Sequence, residues 1–422
     1  MLKLSGMTLV ASLLLGTAVK AETSIVFRYN DGDVAVIEAA VEEFEAANPD
    51  IDVTVERIAW GDARTQFLRE ALIGGGPDVV HIAFVWPLEM GQAVALQPLN
   101  DLISENGIQS GIDDFVAQDL FTSKEGSIFA VPWTTDTFTL VYNKDLLSEA
   151  GISEFPSEWP ALAEASRKIH EATGKAGFGF SAGSAASNVI WFMLNYYWWS
   201  NGHALIVDDG AGGYKMGITP EEVAEGFEYF ASFMGDGGNP DTNISVSSWS
   251  DPSIVNGMIS GHQAIAFMPP ATFRSMLDTY RSQTGSEETP FASATIPAGS
   301  AGGISHLGGR SLGINSNTKH PEESFRLVQY LTSKGFFEKH LKTQMPAQKA
   351  LLSSVDFGPE MAGFATQLAN GRSWGAYANP KTPIGEMWNE TGRSFGSFLI
   401  GQISAEVAAQ DFYDKISGML GK

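Results

Sequence analysis

Val131-Pro-Trp-Thr-Thr-Asp-Thr-Phe-Thr-Leu-Val-Tyr-Asn-Lys-Asp-Leu-Leu147 decides how the chain is organised. From Phe138 to Tyr142 every residue is β-branched, aromatic or leucine, which is the composition of a strand buried on both faces. In front of it lie Pro132, Trp133, Thr134, Thr135 and Asp136, a short polar stretch with one carboxylate and one large ring. Such a stretch reads as a crossing between two lobes that delivers Trp133 and Asp136 to the cleft between them.

Length agrees with two lobes, because 422 residues exceed the usual size of one hydrophobic core. Apolar residues make up 44% and charged residues 18%, the balance of a folded globular chain. The first 21 residues differ: Lys3, an apolar run over 7–18 and Val19-Lys20-Ala21 read as a signal peptide. The run is too short to span a bilayer. The expected mature chain begins at Glu22 and is exported to the periplasm. Without cysteine the chain has neither a thiol for lipid anchoring nor disulfides, so its stability rests on core size. A net charge of −23, more negative still without Lys3 and Lys20, excludes nucleic acid and anionic membrane as partners.

Outward from the central stretch, Ile25 to Tyr29 is a buried strand, Ile37, Val41 and Phe44 recur at helical spacing, and Ile51, Val53 and Val55 alternate. This is a βαβ unit, whose loop at Asn30-Asp31 falls at the carboxyl end of a parallel sheet. A helix over 61–73, a glycine turn at 74–76 and a strand over 78–82 follow, so Trp86 emerges at the same sheet end. Ser157 is expected to cap a helix over 157–170. In Trp191-Phe-Met-Leu-Asn-Tyr-Tyr-Trp-Trp199 the rings cannot share one helix face, so part is core and part reaches the cleft. The glycine-rich 299–309 segment leads through Arg310 into a strand over 311–315, a second crossing.

In this order the chain resembles the solute-binding proteins of carbohydrate ABC importers, extracellular solute-binding protein family 1, which includes maltose-binding protein. The resemblance is carried by Val41-Glu-Glu-Phe44, Gly76-Pro-Asp-Val-Val80, Leu140-Val-Tyr-Asn-Lys-Asp-Leu146, Gly261-His-Gln-Ala-Ile265 and Ser311-Leu-Gly-Ile-Asn315. It implies an α/β, two-lobed periplasmic binding protein fold with two or three crossing segments. It implies a monomer that closes on a saccharide and hands it to membrane permease subunits, with no cofactor and no catalysis. Lobe 1 is expected at 22–134 and 311–357, and lobe 2 at 135–310 and 358–422. Asn30, Asp31, Trp86, Asp136 and Trp388 fall on the family's ligand positions, and Phe273 falls where the family has a stacking ring. The block at 188–199 matches only loosely, leaving Trp191 or Trp199 as its ligand ring.

These residue types suit a pyranose, whose rim hydroxyls meet carboxylates and amides and whose C–H faces meet aromatic rings. Asn30, Asp31 and Asp136 are the rim candidates; Trp86, Trp133, Trp191, Phe273 and Trp388 are the face candidates. Gly309-Arg310 is a candidate for a hydroxyl or an anionic substituent, and for an interlobe ion pair equally. Competing structural roles are a helix cap for Asp31 and a lysine pair for Asp136; Trp60 and Trp159, beside helix starts, read as core. Two function classes compete with the saccharide receptor: a receptor for a glycerol-linked or anionic sugar with Arg310 as clamp, and a glycosidase pairing Asp31 with Asp136. Gly179-Phe-Ser-Ala-Gly183 matches the nucleophile elbow, but no helix pattern follows it directly. The seven histidines show no zinc spacing. Asp236, Asn239, Asp241 and Asn243 do not fit a calcium loop and read as a solvated turn.

Overall fold

The computed structural model of the protein describes residues 23–30, 34–182, 187–234, 252–341, 344–378 and 384–420. The leader at 1–21, Asp31, Gly183 and the four calcium candidates at 236–243 lie outside the described residues.

β1 (Thr23–Tyr29), α1 (Val34–Ala47) and β2 (Ile51–Arg57) form the expected βαβ unit, with β1 parallel to β2 and to β3 (Val79–Ala83). Helix α1 turns Ile37, Ala40, Val41 and Phe44 inward, the three-four spacing of one helix stripe. α2 (Trp60–Leu72) joins β2 to β3, and α3 (Pro87–Gln92) and α4 (Asn100–Asn106) follow. β4 (Val131–Asp136) departs from the expectation: the polar stretch is itself a strand of the first sheet. Its backbone is claimed on both sides, by a later strand and by an extended segment whose Met345 carbonyl accepts from Thr135 N–H at 2.7 Å. Five strands in the order β2-β1-β3-β12-β4 make this sheet.

The chain crosses to the second sheet through Thr137 and Phe138, because β5 (Thr139–Asn143) already belongs there. At the end of β5, the Asn143 side chain accepts from the N–H groups of Asp145 and Leu146, so the Tyr-Asn-Lys-Asp-Leu motif is a strand that runs straight into the N-cap of α5 (Lys144–Glu149). α6 (Trp159–Thr173) begins two residues later than expected, since the Ser157 carbonyl is taken by Ala298 N–H at 2.7 Å. β6 (Ala176–Gly179), α7 (Ser187–Ser200), the hairpin β7 (Ala204–Asp208) with β8 (Tyr214–Gly217), and α8 (Pro220–Ala231) come next. α9 (Pro252–Ile259), β9 (Gln263–Met268), α10 (Pro270–Thr284) and β10 (Phe291–Ala294) complete this part. The second sheet has the order β10-β5-β9-β6.

β11 (Ser305–His306) lies on the return path, and β12 (Gly308–Ile314) enters the first sheet antiparallel to both β3 and β4. α11 (Pro321–Leu331) and α12 (Lys334–His340) cover that sheet, and the segment at 344–348 runs beside β4 into α13 (Lys349–Leu352). The chain then crosses a third time. α14 (Ala362–Leu368) docks on β10 through Ser293, whose Oγ accepts from Gly363 N–H, and β13 (Gly371–Arg372) pairs with β11. α15 (Ile384–Leu399) and α16 (Ala405–Leu420) pack against α7 and α8. Thr135–Asp136 and Gly308–Arg310 are strand residues of the first sheet, although the sequence reading gives them to lobe 2. Apolar packing continues through the first crossing, where Phe138 meets Phe192 at 4.9 Å and Phe267 at 5.6 Å.

Because β4 is a strand, Trp133 faces the core and not a cleft. It is 2% exposed, its indole N–H donates to the Leu331 carbonyl at 2.7 Å, and Tyr29, His81 and Phe336 surround the ring. Trp133→Ala is therefore expected to lower the stability of the ligand-free protein by about 3–5 kcal/mol in guanidinium titrations, a loss that a surface or cleft tryptophan would not produce.

Candidate ligand site between the lobes

Antiparallel insertion of β12 between β3 and β4 brings three chain ends to one place: the exit of β3, the exit of β4 and the entry of β12. Ligands of open α/β sheets collect at such ends. Gly308 pairs with Asp136, and a Cβ at Gly308 would collide with both the Asp136 carboxylate and the His306 ring. Gly309 has φ +144° and lies so close to the Thr134 carbonyl that no side chain fits. These two glycines let β12 press against β4, with a register shift between Arg310 and Ser311.

Asp136 is held at the end of β4 with 27% of its side chain open. His306 Nε2 stands 3.4 Å from its Oδ1, and the Tyr196 hydroxyl meets His306 Nδ1 from the other side. The His306 ring is wedged flat against Phe192 at 4.8 Å and edge-on to Phe138 at 5.1 Å, so it cannot turn away from the carboxylate. Burial pushes the Asp136 carboxyl up, but the hydrogen bond and charge of His306, with the charge of Arg310, outweigh it and hold the group below the ordinary carboxylate range.

Across the same opening, Trp86 at the start of α3 stacks on Trp60 at the start of α2, with centroids 4.8 Å apart. The Arg310 guanidinium lies over the Trp60 ring at 4.2 Å, and its Nη1 donates to the Gly309 carbonyl. Trp60, expected as core, is 37% exposed, while Trp86 is 6% exposed beneath it. On the far side Trp388 of α15 is half-buried 6.4 Å from Phe192, and its indole N–H is buried with no acceptor among the described residues.

The structure thus brings Trp86, Asp136, Gly309 and Arg310 together, with Trp388 reached through Phe192 and His306. Five other candidates lie elsewhere. Asn30 is 6% exposed and spends its amide on His81, accepting at Nδ1 and donating to the carbonyl. Trp191 is fully buried against Trp374 and Tyr377. Trp199 is no more open, and donates to the Tyr377 hydroxyl. Phe273 is fully buried against Phe364, and it is Ala271 that is exposed at the start of α10. Trp133 is core, as described above. Ser181 is fully buried, the opposite of the raised nucleophile an elbow presents. Sequence reasoning missed Trp60 and His306. His306 was legible only as a histidine inside a glycine-rich crossing, without the spacing of a metal set.

The profile of the bacterial extracellular solute-binding proteins matches residues 30–336. The chain belongs to that family. This solute-binding protein is 23% identical over 392 residues to a binding protein of Brucella abortus, covering 90% of this chain and 88% of the relative. Its fold superposes on the GacH receptor of Streptomyces glaucescens with a TM-score of 0.78 at 22% identity, over 95% of this chain and 99% of the receptor. An ABC transporter solute-binding protein of Thermotoga lettingae gives the same TM-score at 19% identity, over 95% and 100% of the two chains. These likenesses establish the two-lobed binding-protein fold.

The depressed Asp136 carboxyl has a measurable consequence. Its ionised form stabilises the fold above the unfolded-chain value near about 4, and that contribution disappears as pH falls through the lower folded value. Denaturant stability of the wild type is expected to fall more steeply than that of Asp136→Asn below about pH 4; parallel curves would show that the carboxylate has no such partner.

Proposed function

We propose that the protein captures a saccharide between its lobes in the periplasm and delivers it, unchanged, to the permease subunits of an ABC importer. The observation that carries this reading is the meeting of an ionised Asp136 with Trp60, Trp86 and Arg310 at the interlobe end of the first sheet. A carboxylate locked by His306 accepts rim hydroxyls without first having to be ordered, and each such charge-assisted bond is worth about 1.5–3 kcal/mol. Indole rings near it offer apolar faces for sugar C–H groups. The GacH receptor was solved with acarbose and the Thermotoga lettingae protein with α-D-tagatose, which supports the ligand class.

The proposed ligand set is Trp86, Asp136, Gly309, Arg310 and Trp388, with Trp60 added and Asp31 kept on its place in the sequence. The proposed lobes are 22–134 with 311–357 and 135–310 with 358–422, adjusted so that β4 and β12 stay whole in the first. A ligand touching both lobes favours the closed population, and the closed outer surface is what a permease reads. Hydrolysis is a poorer reading: a glycosidase needs one carboxyl kept protonated near neutral pH, and Asp136 is driven the opposite way.

Isothermal titration with mono-, di- and trisaccharides is expected to give heat-releasing, stoichiometric binding by a monomer; no binding combined with turnover of a glycoside would transfer the assignment to the hydrolases. Asp136→Ala is expected to cost about 2 kcal/mol, roughly a thirtyfold rise in Kd, and an unchanged Kd removes Asp136 from the site. N-terminal sequencing of protein recovered from the periplasmic fraction is expected to start at Glu22, and a retained Met1 refutes cleavage.

A further inference from the structure

Four hydrogen-bonding side chains, Thr137, Tyr196, Ser305 and His306, meet where the first two crossings pass each other, and none is more than 3% exposed. Thr137 of the first crossing and Ser305 of the second face one another, with their hydroxyl oxygens 2.6 Å apart. Tyr196 reaches in from α7, its ring packed on Trp199 and edge-on to Phe267 at 5.7 Å. Its hydroxyl meets His306 Nδ1, and His306 Nε2 faces Asp136 Oδ1 at 3.4 Å. A line of buried donors and acceptors thus runs from the interior of the second lobe to the carboxylate at the end of β4.

The direction of each proton along this line follows from its two ends. An ionised carboxylate only accepts, so the His306 nitrogen that faces Asp136 carries the ring proton. At the other end, the groups acting on the Tyr196 oxygen are donors: the backbone N–H groups of His306 and Phe138 and the Thr137 hydroxyl. An oxygen surrounded by donors sends its own proton to the acceptor beside it, which is His306 Nδ1. Burial pushes the Tyr196 hydroxyl well above its ordinary range, so that proton is there to give. Ser305 then donates to Thr137, Thr137 to Tyr196, Tyr196 to His306 and His306 to Asp136. The charges nearest the imidazole are Arg310, beyond Asp136, and Arg372, paired opposite His306 in β13 with its guanidinium over Trp199. Neither arginine can accept a proton, and the rings of Phe138, Phe192 and Trp374 hold the imidazole in place. The tautomer of a histidine is set by the hydrogen bond at its other nitrogen, and here a tyrosine sets it.

We propose that Tyr196 is a positioning residue for ligand capture: by giving its proton to Nδ1 it keeps His306 an Nε2–H donor, which ties Oδ1 of Asp136 to the protein and offers Oδ2 to the ligand as an acceptor only. A Cβ at Gly308 would strike the same Oδ1, so that oxygen already faces the protein. The ligand must then bring a hydroxyl that donates to Oδ2. Tyr196 itself never touches the ligand, since it is fully buried behind His306. This deepens the receptor reading above and rests on it.

Nitrogen NMR of the imidazole in the ligand-free mature protein at neutral pH reads the tautomer directly. Wild-type His306 is expected to show a protonated Nε2 and a hydrogen-bonded, unprotonated Nδ1. A proton on Nδ1, alone or together with one on Nε2, overturns the proposal. Tyr196→Phe keeps the ring and removes only the hydroxyl, and Thr137→Val does the same one step back. With glucose, maltose and maltotriose as calorimetric probes, Tyr196→Phe is expected to raise Kd about tenfold and Thr137→Val by less. In an Asp136→Ala background Tyr196→Phe is expected to leave Kd unaltered, because the group it positions is gone. An equal loss in both backgrounds makes Tyr196 merely structural and overturns the proposal, as does an unchanged Kd where Asp136 is present. Failure of every sugar overturns the receptor reading, while the tautomer, read without ligand, still decides whether Tyr196 directs His306.

Discussion

The insertion of β12 between β3 and β4 is the constraint from which the rest of the molecule follows. A strand arriving late in the chain and running antiparallel to both neighbours must start where they end. That geometry puts Arg310 beside the exit of β3 and Gly308 opposite Asp136. It also requires two adjacent residues with no Cβ, because the backbone of β4 and the His306 ring occupy the space a side chain would take. The Gly308-Gly309 pair is therefore a packing requirement first, and it creates the opening only as a consequence.

Electrostatics at this junction are arranged locally against a strongly acidic background. The chain carries a net charge of −23, yet Asp136 meets His306 and the field of Arg310. His306 is held in turn by the Tyr196 hydroxyl and by flat contact with Phe192 from α7, so one imidazole ties an element of the second lobe to the last residue of β4. A carboxylate fixed in this way is preorganised as an acceptor: it keeps its charge and gives up no rotamer freedom when a hydroxyl arrives. Fold likeness at about 20% identity brings the scaffold and not the ligand. The choice of ligand rests on the few side chains that stay open, among which Trp60 is more exposed than the Trp86 it covers.

The tryptophans divide into two populations by what their indole N–H does. Trp133 donates to Leu331, Trp198 to the Glu222 carbonyl and Trp199 to Tyr377, which commits each to a framework. Trp159, Trp191 and Trp388 each keep a buried N–H with no acceptor among the described residues. A buried polar atom left without a partner is costly, and of these three rings Trp159 and Trp191 are core while Trp388 is half-buried.

Much of the architecture was written locally. Helical spacing at Ile37, Val41 and Phe44, the βαβ opening and the β-branched run after Phe138 each became the element they suggested, since short-range periodicity and turn chemistry set them, whereas the glycine-rich return at 299–309 already holds β11 and the first two residues of β12. The polar look of Pro132 to Asp136 misled because a strand's identity depends on what pairs with it, and both partners, β12 and the 344–348 segment, lie more than 150 residues away. The same holds for the rings: Trp133 meets its acceptor across 198 residues and Trp199 across 178. By itself, then, the sequence determined the order of elements and the stock of carboxylates, rings and cations. Tertiary structure alone decided which of them face the opening, because burial is a property of distant neighbours brought together and is not encoded in any window of the chain.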